Sequence, residues 1–126
     1  MKIIIFVFMF LILNIPSFTF SQESNSNVKA IDESLVKFQK GVDPVKEKNY
    51  EIAADIFEEL ALLGDIDAQF NLAILTRNGL GRAQNYSDAL YWTWLSFAGG
   101  LKKSEKVLEK ILELVPENIQ QEIRAR

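Results

Sequence analysis

The chain of 126 residues contains no cysteine and no histidine. The first absence excludes a disulfide framework, thiolate metal sites and thiol nucleophiles, and the second removes the commonest general base and metal ligand. A basic field is missing too: 17 acidic residues face 14 basic ones, a net charge of −3, so nothing collects phosphate backbones and nucleic-acid binding is disfavoured. The sequence implies no catalytic residue, no cofactor and no metal, and it reads as a non-enzyme. Its length suits one small domain.

What is present begins with an apolar run. Lys2 precedes an uninterrupted stretch from Ile3 to Leu13, followed by Asn14 and Pro16. That run is 11 residues long, where a membrane-spanning helix needs about 20. A lone cation, a short apolar core, a helix breaker and small residues at Thr19 and Ser21 make a signal-peptide layout over 1–21, with cleavage expected after Ser21. The rival reading continues through Phe18 and Phe20 and makes the segment an uncleaved anchor. No cysteine is available for a lipid anchor. The expected location is therefore outside the cytoplasm, periplasmic or secreted, with membrane contact only during export.

Residues 22–27, QESNSN, are polar without an apolar period and predict a disordered spacer. From 28 onward a single helical domain is expected. Val28, Ile31, Leu35, Phe38 and Val42 share one helical stripe, which Gly41 and Pro44 are expected to interrupt. Tyr50, Ala53, Ala54, Phe57, Leu60 and Ala61 form the broad apolar face of a second helix that Gly64 closes. A third helix runs from about Asp67 to Arg77, ending at Asn78 and Gly79. A helix from Lys102 to about Leu114 and a polar one from Glu117 form terminal caps over 102–126.

Set against itself at an offset of 36 residues, the chain superposes Asn49 on Asn85, Tyr50 on Tyr86, Ala53 on Ala89, Ile56 on Trp92 and Gly64 on Gly100. A fixed period in this range signals a solenoid, in which each helical pair buries one face against the next. The clearest repeat spans 68–103. Its Ala68, Leu72, Gly79, Gly81, Tyr86, Ala89, Trp92 and Gly100 resemble the Sel-one-like repeat, a relative of the tetratricopeptide repeat. That resemblance implies an all-α solenoid of antiparallel helical pairs, about two repeats with capping helices. It also implies a scaffold that holds a protein or peptide. Ala73, Thr76, Arg82 and Asn85 depart from the family pattern.

Gly79 and Gly81 are assigned to the turn, where positive dihedrals let the chain reverse. The segment Asn78–Arg82 lacks the lysine and following hydroxyl of a phosphate-binding loop. Trp92 is expected to fill the seam between repeats. Trp92 and Trp94 lie about 200° apart on a helix and cannot face the same neighbour. Trp94, with Tyr91, is therefore the candidate partner-binding pair, and packing against the terminal helices is its structural alternative. Asp55, Glu58 and Glu59, and the row Glu105, Glu109, Glu113, read as solvated faces rather than catalytic carboxylates. The expected function is protein–protein interaction, as an adaptor or scaffold in the cell envelope or secreted, with homodimerisation a further expectation from the modest core. The competing class is an envelope protein that binds, or hydrolyses, peptidoglycan fragments or peptides.

Overall fold

Two polar side chains reach back across turns in the same way, and the layout follows from them. In a computed structural model that describes residues 21–126, buried Gln69 donates to the Ala61 carbonyl at 3.2 Å, and buried Gln120 donates to the Leu112 and Val115 carbonyls at 2.9 and 2.8 Å. Each is the fourth residue of its helix and caps the end of the helix before it. At the turn between them the Ser96 and Ser104 hydroxyls pair, again eight residues apart. Carbonyls left open at a helix end are thus satisfied by the next helix, which fixes how the two lie together.

Six helices result, with no strand among the described residues. They are α1 Ser21–Lys46, α2 Tyr50–Leu62, α3 Ile66–Asn78, α4 Tyr86–Ala98, α5 Lys103–Leu112 and α6 Glu117–Arg124. Residues 32–126 form one compact unit, separate from the segment ending at Ile31. Within it α2 packs on α3, α3 on α4, and α4 on both α5 and α6. The fold is all-α. No described helix is long and apolar enough to cross a membrane. The leader expected over 1–21 lies, apart from Ser21, outside the described residues.

Two expectations are corrected in α1. The spacer at 22–27 is helical, and the helix runs unbroken through Gly41 and Pro44. Polar composition excludes a core contact but not helix, because adding residues to an existing helix is nearly free once it is nucleated. Pro44 forfeits only one bond, close to the helix end. Gly41 is buried for a reason of packing: a methyl there would lie 2.7 Å from the Phe57 ring.

The core has two parts. The first joins Ala53, Ala54, Phe57, Leu60 and Ala61 of α2 to Ala68, Leu72 and Leu75 of α3, with Phe38, Val42 and Val45 of α1 against it. The second joins Ala89 and Leu90 of α4 to Leu108, Ile111, Val115 and Ile123. Small or polar residues, Ala73, Thr76, Thr93, Ser96 and Ser104, are buried outside both clusters. The Thr93 hydroxyl donates to the Ala89 carbonyl at 2.7 Å and the Ser96 hydroxyl to the Thr93 carbonyl at 3.2 Å, whereas the buried Thr76 hydroxyl has no partner among the described residues.

α2 and α4 have 13 residues each and begin 36 residues apart. Both close on the same motif. After α2, the Gly64 N–H donates to the Ala61 carbonyl and the Asp65 N–H to Leu60; after α4, Gly100 donates to Phe97 and Leu101 to Ser96. Gly64 and Gly100 sit at φ of 90° and 98°. α1 ends identically, Lys48 donating to Val45 and Asn49 to Pro44, but here a lysine occupies the left-handed position at φ 61°. Opposite substitutions should therefore have opposite signs. In urea melts Gly64→Ala should lower stability by about 1 kcal/mol, and Lys48→Gly should raise it by up to about 1 kcal/mol. A destabilised Lys48→Gly variant would show that the lysine makes compensating contacts.

Candidate interaction surface

α4 presents its aromatic side chains to two neighbours. Asn85 starts it, its side-chain oxygen accepting from the Ser87 and Asp88 N–H groups at 3.0 and 3.1 Å. From that start the helical advance carries Trp92 against the first core cluster and Trp94 against the second. The rings of Tyr91 and Trp92 meet edge to face at 5.0 Å. Trp94 is half-buried beside Leu90, Leu112, Gln120 and Ile123, with the Arg124 guanidinium 5.6 Å above its ring. Its neighbours are thus the terminal helices, and Tyr91, also half-buried, packs against the same cluster. Near it, Arg126 is held above the usual guanidinium range by its hydrogen bond to Glu122 and by that carboxylate's charge.

The turn before α4 is held from both ends. Gly79 caps α3 at φ 66°, and the Leu80 N–H donates to the Leu75 carbonyl at 2.9 Å. Gly81, at φ 73°, lies so close to the start of α2 that a methyl would fall 2.2 Å from the Tyr50 carbonyl oxygen. Arg82 then forks onto Glu58 of α2 at 3.4 and 3.3 Å. Four further residues of this region have distinct places: Arg82 straps the turn to α2, Asn85 caps α4, and Ala73 and Thr76 are buried on α3.

A shallow depression of about 370 Å³ lies between α1 and α2, lined by Glu33, Val36, Lys37, Lys40 and Ile56. Lys37 crosses it to pair with Glu59. Sequence periodicity missed the exposed apolar side chains Leu62, Leu63 and Phe97 at two helix ends. The available signal was the unbroken run Leu60–Leu63, more consecutive apolar residues than one helix face can bury. Among the described residues no cluster of acidic, cysteine or histidine side chains could hold a metal ion.

No family model, no curated protein and no solved structure matches the chain.

Proposed function

We propose that this chain is an exported helical-repeat protein that binds a protein or peptide partner and performs no catalytic step. The supporting observation is the recurrence at 36 residues: helices of equal length starting at Tyr50 and Tyr86, closed by the same hydrogen bonds at Gly64 and Gly100. Such recurrence fits stacked helical hairpins, whose use is shape recognition across a rigid face. Kinship with the Sel-one-like repeat, export directed by residues 1–21, and a partner surface around Tyr91 backed by Trp94 belong to the same proposal. Trp92 takes the seam role in it, since it lies on α4 yet packs on the cluster of α2 and α3.

The test is photo-crosslinking in the cells that make the protein. Benzoylphenylalanine in place of Tyr91 is expected to give one discrete adduct that excess untagged chain suppresses, while the same probe in place of exposed Lys110 gives none. Absence of a saturable adduct at position 91, or turnover of peptidoglycan fragments by the purified chain, would overturn the proposal.

A further inference from the structure

α1 carries two stripes. Phe38, Val42 and Val45 pack on the first cluster, with Gly41 against the Phe57 ring. The other stripe is Glu33, Val36, Lys37 and Lys40, at the i, i+3, i+4, i+7 spacing by which one helix seats on another. Together with Ile56 of α2 it lines the depression of about 370 Å³. Val36 is 51% exposed, and Ile52, one turn before Ile56, is 49% exposed. An apolar strip with helical spacing thus lies on this side of α1 and α2, and no part of the described chain covers it.

The order of charges along the strip selects its occupant. Lys37 pairs with Glu59, so its ammonium is held on the α2 side and its alkyl stem lines the floor. Exposed Glu33 and Lys40 then mark the two ends, opposite in sign and seven residues apart, roughly 10 Å along a helix. Asp43, the next charge along α1, is engaged by Gln39 and Lys46, and Asp55, about 100° further round α2 than Ile56, does not line the depression. Two such strips can meet about a two-fold axis in two ways. With the helices parallel, Glu33 meets the partner's Glu33 and Lys40 the partner's Lys40, and both contacts repel. With the helices antiparallel, Glu33 meets the partner's Lys40, Lys40 meets the partner's Glu33, and Val36 rests on the stem of the partner's Lys37 at the axis. A strongly acidic or strongly basic partner would be repelled at one end of the strip, whereas a second copy matches both ends.

We infer that this strip is a homodimer interface, in which two α1 helices pack antiparallel about a two-fold axis beside Val36 with a Glu33–Lys40 pair on either side of it. The inference is independent of the protein-binding proposal, which concerns α4. It gives the homodimer expected from the modest core a definite place.

The full chain also carries the apolar run Ile3–Leu13, so the readout must be local. Because the chain has no cysteine, Val36→Cys gives a single thiol beside the axis, and Lys110→Cys, exposed on α5, gives a control. Mild oxidation should link Val36→Cys chains into dimers and leave Lys110→Cys chains unlinked. Adding Glu33→Lys, or Lys40→Glu, to Val36→Cys puts like charges across the axis on both sides. Each should raise the chain concentration needed for half-maximal linking about tenfold. Mixing these two variants, one of them carrying a size tag, should restore linking between them to the level of Val36→Cys, because both pairs are again opposite in sign. No linking at 36, equal linking at 36 and 110, or a mixture that links no better than its components would overturn the inference. Should Val36→Cys fail to fold, sedimentation of the two charge variants without the cysteine, separately and mixed, decides it.

Discussion

Truncating Phe57 to alanine should lower the stability of the domain by about 3–5 kcal/mol, the range for a fully buried aromatic whose site cannot collapse. Phe57 is 1% exposed and is among the largest fully buried side chains of the first cluster. Its ring meets Phe38 of α1 at a centroid distance of 5.6 Å and lies over Gly41. With no side chain at position 41, little is available to fill the hole, and α1 loses its main support on α2. For a domain of this size the melting temperature should fall by roughly 15–25 °C.

The same contact gives a sharper test. Gly41→Ala places its methyl 2.7 Å from Phe57 Cε1, so it should cost about 1–3 kcal/mol by overpacking. In a Phe57→Leu background the ring edge is gone, and that penalty should shrink by at least about 1 kcal/mol. Urea unfolding of the four chains measures the coupling. Additivity within about 0.5 kcal/mol would mean that α1 is not seated on Phe57 as described.

Gly41 also marks the boundary of what sequence reasoning reached. Periodicity says which face of a helix is apolar, and it placed α2, α3, α5 and α6 within about two residues, an ordinary margin for helix ends. The spacing of Gly64 and Gly100 carried enough information to locate two left-handed helix caps. Sequence does not say which neighbour arrives at a given face. Gly41 and Pro44 therefore read as breakers, although Gly41 is there because Phe57 leaves no room for a side chain. The sequence gives Arg82 no partner until Glu58, 24 residues away, appears beside it. The two tryptophans mark the same limit: helical geometry separates their faces, but only the packed chain puts Arg124 and the terminal helices over Trp94.

Gly81→Ala should be the most damaging glycine substitution in the chain, costing about 3–4 kcal/mol where a positive dihedral alone costs about 1–2 kcal/mol. Gly79 supplies the reference. Its φ of 66° is close to the 73° of Gly81, but a methyl there meets only the Gln84 side chain at 3.3 Å, with the Gln84 backbone beyond 3.4 Å. At Gly81 the obstacle is the Tyr50 carbonyl, part of the first turn of α2, at 2.2 Å. A backbone group bound into a helix cannot swing aside as a side-chain end can, so the turn must lift off α2. Lifting it would also strain the Arg82–Glu58 fork and draw Leu80 from the first cluster. Gly79→Ala should therefore cost about 1–2 kcal/mol and leave the urea dependence unchanged. Gly79→Asn should cost less still, because asparagine tolerates the left-handed region, whereas Gly81→Asn should be no better than alanine. Equal penalties at positions 79 and 81 would show that only the dihedral matters and that the turn does not press on α2. Unequal ones would identify this close approach as what fixes the distance between the α3–α4 turn and α2, and with it the position of the α4 surface that carries Tyr91.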